Sequence, residues 1–417
     1  MQAVIAIPEV TAPAGQQGTH SLLMQQVAGV PLIERIILTA SRAGANEILL
    51  ITTGIPDYAL ARRISRDTNS FGVRVRFLHS RRFDPHESSS WDRLRQYLSD
   101  PFLWIPWNWV TTKQLLRDLP VRDVASVNLS LPAQVSFLAV GDDDASTIAA
   151  PENGGIRITS AHDIGKAERF LVANSGKVLD GIHTSFNRRL CRPFVRLLSH
   201  TAITPNAVTF GGVVVSVLSA IAFARGGYMY SVLGALLFYI AGLFDEMDGM
   251  LARIKFAESP RGTWLEGFAD GLSYLLLFGG IAIGLIHQYG KAAIVMGALL
   301  LLGAILALVA TSLQRSRATT ADRPNEYLGR MYQLLDRDSG NWISRAVRQL
   351  QAFVRRGVMV HYIVIFTVIG ALPLIFVLAT IGAHLTWIVT LYFNRRFFAQ
   401  PFRVGVTPTV NAMKESL

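Results

Sequence analysis

Four acidic residues stand where a pair of membrane helices should be apolar: Asp245, Asp248, Glu266 and Asp270, in 245-DEMDGMLARIKFAESPRGTWLEGFAD-270 between two hydrophobic runs. A carboxylate carried into a bilayer costs about 3 kcal/mol on insertion scales and persists only where something compensates it. The usual compensation is a metal ion or a proton relay. Asp245 and Asp248 are three apart and Glu266 and Asp270 four apart, so each pair lies on one face of a helix. If the two helices are antiparallel neighbours, all four carboxylates meet. Four anions at one place call for divalent cations, and an all-oxygen ligand set suits Mg²⁺, Mn²⁺ or Ca²⁺. Two such ions can clamp both phosphates of a pyrophosphate group while it is displaced. Gly249 and Gly262 would let a ligand approach the backbone closely, and Arg253 and Lys255 can neutralise phosphate. Any one of these acids alone reads as a solvated helix end; the four together, at this spacing, read as a metal site.

The elements that must hold these residues are membrane spans. The chain has 417 residues, 51% of them hydrophobic, and the apolar part is concentrated beyond residue 200. Thr204-Pro205-Asn206 is a helix start, with Thr as cap and Pro in the first turn, followed by an apolar run to residue 224. Further spans are expected over 230–244, from near Gly262 to 286, and over 292–313. The stretch 357–394 has no Lys, Arg, Asp or Glu and is too long for one crossing; Pro373 near its middle divides it into two. Six spans are therefore expected.

Basic residues orient them. Arg188 to Arg196, Arg253, Lys255 and Arg261, the arginines of 315–356, and Arg395 and Arg396 fall on one side, against Arg225 and Lys291 on the other. The expectation is a multi-pass protein of the cell (cytoplasmic) membrane, with both termini and the acidic cluster on the cytoplasmic side. The net charge of +11 fits basic loops facing anionic lipid. It does not indicate nucleic acid, because no basic-aromatic stripe or finger spacing accompanies it. A single cysteine, Cys191, excludes an intrachain disulfide. The opening MQAVIAIPEV has no basic segment before a long apolar core, so no signal peptide is expected.

Residues 1–155 carry ordinary charge density and alternate short apolar runs (3–7, 47–52, 73–78, 102–105, 135–140) with amphipathic stretches such as 32–44 and 57–67. That alternation predicts an α/β domain with a mostly parallel sheet. Residues 156–202 form a linker and an amphipathic helix. In that helix Phe186, Leu190, Phe194 and Leu197 make one stripe, while the arginines lie elsewhere. It reads as an interfacial helix at lipid, with Arg188, Arg189 and Arg192 contacting headgroups. Residues 203–398 are the membrane domain and 399–417 a cytoplasmic tail. His361 and His384 read as hydrogen-bonded packing residues, Trp104, Trp107 and Trp109 as core, and Cys191 as an unmodified thiol.

The spacing Asp245-x₂-Asp248-Gly249-x₂-Ala252-Arg253-x₈-Gly262-x₃-Glu266-x₃-Asp270 resembles the signature of the CDP-alcohol phosphotransferases. Seven of its eight fixed positions match, and Glu266 replaces an Asp. The resemblance extends to 204-TPNAVT-209 and 180-DGIHTSFNRRLCRPF-194. It implies a transferase that moves a substituted phosphate from a CDP-alcohol, often CDP-diacylglycerol, to an acceptor alcohol with release of CMP. It further implies two divalent ions, Mg²⁺ or Mn²⁺, on Asp245, Asp248, Glu266 and Asp270. Asp270 would be the general base. Asp245, Asp248, Gly249, Ala252, Arg253 and Gly262 would meet the nucleotide. Homodimers are frequent in that family.

The stretch 29-GVPLIERIILTASRAGANEILLITTG-54 resembles the sugar-phosphate nucleotidyltransferases. The corresponding phosphate loop, 8-PEVTAPAGQQGTH-20, has neither Arg nor Lys, and 102-FLWIPWNWV-110 has no acid. Without a cationic cradle or a metal ligand a triphosphate would not react there. The first domain is therefore expected to be non-catalytic, in an arrangement like the fused inositol-phosphate cytidylyltransferase/phosphotransferases. Two alternatives accompany this expectation: a bifunctional enzyme whose first domain makes the CDP-alcohol, and an inactive scaffold paralogue.

Overall fold

The computed structural model describes residues 1–7, 19–53, 58–69, 72–80, 83, 88–98, 102–117, 136–138, 147–149, 154–176, 182–318, 327–338, 340–354 and 356–397. The expected phosphate-loop equivalent, 8–20, falls outside these except for its last two residues. The tail 399–417 lies wholly outside.

The soluble part is built on a sheet of order β5-β4-β1-β6-β8-β9. Strands β1 (Gln2–Ile7), β4 (Glu47–Thr53), β5 (Val75–Ser80) and β6 (Phe102–Trp104) run parallel. Strands β8 (Ser136–Leu138) and β9 (Thr147–Ala149) add antiparallel to that edge. The central strand β1 is buried along its whole length, which is why it reads as an unbroken apolar run. Each expected strand is present, with β5 two residues later than expected. A two-residue hairpin, β2 (Gln26–Val27) and β3 (Val30–Pro31), turns at Ala28 and Gly29, both at positive φ. Gly29 has a further reason to be glycine, since a Cβ there would lie 2.0 Å from the Ser199 carbonyl oxygen. A short antiparallel pair joins β7 (Trp109–Val110) to β10 (Ile156–Arg157). The short helices α1 (Thr19–Met24), α4 (Ser88–Asp92) and α5 (Lys113–Arg117) and the longer α3 (Tyr58–Asn69) complete the connections.

Helix α2 (Leu32–Ala43) packs its isoleucines against the sheet and ends on Gly44 in the left-handed conformation. It also carries a buried cation, Arg35. Burial pulls its pKa down to about 9, and the charge of Glu168 pushes the other way. Glu168 lies in α6 (Ala161–Ala173), is buried, accepts the Ala28 N–H at 3.1 Å, and pairs with Arg196 and His200 at 2.9 Å each. At the start of α6, Asp163 Oδ2 accepts the Thr159 and Ser160 backbone N–H groups at 3.2 Å. Trp104 and Trp109 are core residues, as expected; Trp104 meets Trp91 edge-on.

Among the described residues five helices are long and apolar enough to cross a membrane. They are α8 (Pro205–Arg225), α9 (Tyr228–Ile254), α10 (Pro260–Tyr289), α11 (Lys291–Ala318) and α15 (Leu372–Phe397). The sixth expected span is a shorter apolar helix, α14 (Arg356–Val368), whose 13 residues make roughly 20 Å, less than a bilayer core. The division lies where Pro373 points to it: α14 stops before Gly370 at φ +76°, and Pro373 sits in the first turn of α15. Ahead of α14 come α12 (Tyr327–Arg337) and α13 (Trp342–Val354). This is a multi-pass membrane protein with an α/β domain ahead of an all-α region.

Small residues set the helix packing, as they do where lipid removes the hydrophobic incentive. A Cβ on Gly280 or Gly284 would lie 2.5 Å from Ala220 O or 2.1 Å from Phe223 O, so the backbones of α8 and α10 touch. The hydroxyls of Ser216 and Ser273 bond across the same contact at 3.0 Å. His384 hydrogen-bonds the Leu299 carbonyl at 3.0 Å and receives the Trp387 indole N–H at 3.1 Å, a packing role as expected.

By residue contacts the chain forms two units: 1–176 with 192–202 and 253–256, and 177–191 with 203–252 and 257–417. Helix α7 (Ile182–Ser199) divides between them at residue 191 and continues through Pro193.

Candidate active site

Three helix ends supply the functional side chains. Thr204 caps α8, accepting the Ala207 N–H at 3.3 Å, and Pro205 occupies its first turn. Ser259 and Pro260 start α10 in the same way, Ser259 Oγ accepting the Gly262 N–H at 3.0 Å. A Cβ on Gly262 would meet that oxygen at 3.1 Å and Asn206 Oδ1 at 3.8 Å, so the starts of α8 and α10 adjoin. Helix α9 arrives from the opposite direction and brings Asp245, Asp248, Gly249, Ala252 and Arg253 in its last turns.

Asp248 is the most enclosed of the four acids, 4% exposed; Asp245, Glu266 and Asp270 are half-buried. Its Oδ2 accepts the Thr209 hydroxyl of α8 at 2.5 Å. Its Oδ1 is buried with no hydrogen-bond partner. A buried carboxylate oxygen in that state is strongly disfavoured unless a ligand completes it. The charges of Asp245 and Glu266 both act on Asp248, and that of Asp245 reaches Tyr274, one turn beyond Asp270 on α10. The two acid pairs therefore share one electrostatic neighbourhood. Among the described residues no three His, Cys, Asp or Glu side chains stand close enough to hold a metal ion. Like charges on facing helices repel, and a divalent cation is what would draw them together. The orphaned Asp248 oxygen and the all-oxygen set fit such an ion.

Residues outside the expected set also belong here. Thr209 fixes Asp248; it ends the TPNAVT run, so a signal for it was in the sequence. Arg188 corrects an expectation: it is not a headgroup contact but 8% exposed, its Nε donating to Glu246 at 3.0 Å. A guanidinium removed from water needs that partner. Beside it Cys191 is buried against the Leu243 carbonyl; burial, and next the Glu246 charge, push its thiol up to about 12, leaving it inert. Arg189 is exposed, and so are Phe186, Leu190, Phe194 and Leu197 of the apolar stripe. Tyr239 donates to Asn187 at 3.1 Å and meets His361 edge-on. Arg315 of α11 comes within 3.5 Å of a Cβ placed on Gly267, next to Glu266. Arg253 donates its Nε to the Ser175 carbonyl.

No curated protein matches the chain. Residues 202–391 match the sequence model of a family, CDP-alcohol phosphatidyltransferase. That stretch takes in the capped start of α8, both acid pairs and all five candidate spans but the end of α15. The chain thus carries a CDP-alcohol phosphatidyltransferase domain over residues 202–391, a domain whose family transfers a phosphate-linked group from a CDP-alcohol.

Proposed function

We propose that the protein is an integral membrane transferase that moves a substituted phosphate from a CDP-alcohol, CDP-diacylglycerol or a similar lipid-linked donor, to a small acceptor alcohol. The observation that carries this reading is Asp248: one oxygen fixed by Thr209, the other buried and unbonded, within reach of the charges of Asp245 and Glu266.

Asp245, Asp248, Glu266 and Asp270 would hold two divalent ions, Mg²⁺ or Mn²⁺. When bound, those ions neutralise the pyrophosphate and acidify the acceptor hydroxyl. The acceptor oxygen forms a bond to the phosphorus that carries the donor alcohol. The pyrophosphate P–O bond breaks, and CMP departs with its electron pair. Asp270 takes the acceptor proton; a carboxylate is a weak base toward an alcohol, so its position at the attacking oxygen matters more than its basicity. Gly249, Ala252 and Gly262 would leave room for the nucleotide, and Arg253, whose Nε is taken by the Ser175 carbonyl, would meet its phosphates through the remaining guanidinium nitrogens. The reaction produces phospholipid or another phosphodiester at the cytoplasmic face of the cell membrane. The first domain, lacking Arg and Lys over 8–20, resembles a nucleotidyltransferase without its chemistry.

Purified protein given CDP-diacylglycerol and a panel of acceptor alcohols should release CMP only with Mg²⁺ or Mn²⁺ present. An Asp248→Asn variant that released CMP at the wild-type rate would sink this reading.

A further inference from the structure

The last two residues of α9 and the first two of its connection to α10, Arg253–Phe256, cluster with the soluble unit rather than with the rest of those helices. Its anchors are specific. Arg35 donates from Nε to the Val27 carbonyl at 2.9 Å, and from Nη2 to the Ala28 and Ile254 carbonyls at 3.3 and 3.0 Å. One guanidinium thus ties the β2–β3 hairpin to the last residue of α9. Its carbon lies 5.2 Å from the centroid of the Phe256 ring, a cation–π contact. Arg42 donates to the Phe256 carbonyl at 3.3 Å, Lys255 to the Thr201 carbonyl at 2.7 Å, and Arg253 to the Ser175 carbonyl.

The backbone here is not one the sequence would choose locally. Phe256 has φ +56°, Ala257 N–H bonds the Ala252 carbonyl at 2.9 Å, and Phe256 N–H bonds the Arg253 carbonyl at 3.5 Å. This is the helix-ending motif whose left-handed position is ordinarily glycine. A phenylalanine persists there only because its ring is held in the soluble core and its carbonyl by Arg42.

We propose that Arg35 and Phe256 are positioning residues of the transferase. Through them the first domain sets how α9 ends and where α10 begins, and hence how the Asp245/Asp248 pair meets the Glu266/Asp270 pair. The domain is then a working part of the membrane enzyme rather than a second one. This inference rests on the carboxylate reading of the preceding section. A purely structural role would let Arg35 fill the core without consequence for the acids.

The test uses the full-length protein in lipid nanodiscs, as wild type and as Arg35→Met, Phe256→Leu and Phe256→Tyr. The first readout needs no substrate: trypsin cleavage after Arg253 and Lys255, identified by the masses of the new termini. The second is CMP release from CDP-diacylglycerol against Mg²⁺ concentration. Arg35→Met and Phe256→Leu should be cut at least tenfold faster, lose about tenfold in kcat with little change in KM for the donor, and need several-fold more Mg²⁺ for half-maximal rate. Phe256→Tyr, which keeps a ring face toward the guanidinium, should behave as wild type on every count. Faster cleavage with unchanged kcat and Mg²⁺ requirement would overturn the positioning role, as would wild-type cleavage in both Arg35→Met and Phe256→Leu. Because Arg35→Met can unfold its domain, Phe256→Leu, which leaves Arg35 in place, decides that case. If wild type releases no CMP, the transferase reading falls, and the cleavage pattern still decides whether the connection is clamped.

Discussion

Asp248 concentrates the chemistry of the site in one side chain: a carboxylate inside the protein with one oxygen bonded and one not. Such a group is a strain on the ligand-free fold, because its charge is desolvated beside two others. Asp248→Asn should therefore raise the thermal midpoint of the metal-free protein by a few degrees while abolishing CMP release. Mg²⁺ should raise the midpoint of wild type by mass action and leave that of the variant unmoved. A scanning-fluorescence melt with and without Mg²⁺ checks both; a variant less stable than wild type without metal would contradict the argument. Glu266 is the residue at which the signature departs from its pattern. Glu266→Gln should remove most of the activity, and Glu266→Asp should retain part of it. If the first is silent and the second rises strongly from almost nothing, the native protein is an inactive relative. That Asp245 and Asp248 share one helix face, and Glu266 and Asp270 another, was legible in the sequence because spacings of three and four residues put them there. The Arg188–Glu246 pair was not, since 58 residues separate the partners and no periodicity links them.

At the scale of elements, the start of α8 was legible in Thr204-Pro205, a capping hydroxyl followed by a ring that suits the first turn; α10 starts in the same way at Ser259-Pro260, two residues ahead of the expected Gly262. What the caps do not reveal is that α8 lends Thr209 to α9. Thr209→Val removes a hydrogen bond to a charged group, worth about 2 kcal/mol. CMP release should fall roughly ten- to thirtyfold, with the membrane helices intact by circular dichroism. In the soluble domain, the α6 start depends on Asp163. Its pKa is held well below the usual carboxylate range, first by the Thr159 hydroxyl and then by Lys166. A depressed folded-state pKa contributes stability that is complete above the unfolded value, near 4, and is lost as pH falls toward the folded one. Asp163→Asn should lower stability at pH 7, by about 1 kcal/mol, and weaken the pH dependence below pH 4, measurable by denaturant melts across that range.

For the whole molecule, two folds in series were legible, because strand-length apolar runs give way to span-length ones near residue 200. The interleaving was not. The soluble unit draws in residues 192–202 and 253–256, which lie beyond its own stretch of chain. Phe256 is part of its hydrophobic core, and burying such a ring is worth roughly 2–3 kcal/mol. That is enough to offset a left-handed non-glycine residue at about 1–3 kcal/mol. A chain stopped at residue 176 should therefore express the sheet domain in a less stable, protease-sensitive form than the full protein, and addition of CTP and a polyol phosphate to the full protein should yield no pyrophosphate. Pyrophosphate release would restore the bifunctional alternative.

The contact of α8 with α10 at Gly280 and Gly284 has a consequence for how this site can adapt. Where two backbones touch, neither helix can slide along the other by an ångström without a collision. Helix α10 is thus a fixed ruler, and its acids stand at graduations that do not move. The extra methylene of Glu266 must be absorbed within the side chain itself, by a bent rotamer, and not by translating the helix. A change of ion size or acceptor would then be written in side-chain lengths at the first turns of α10, with the rest of the helix unaltered.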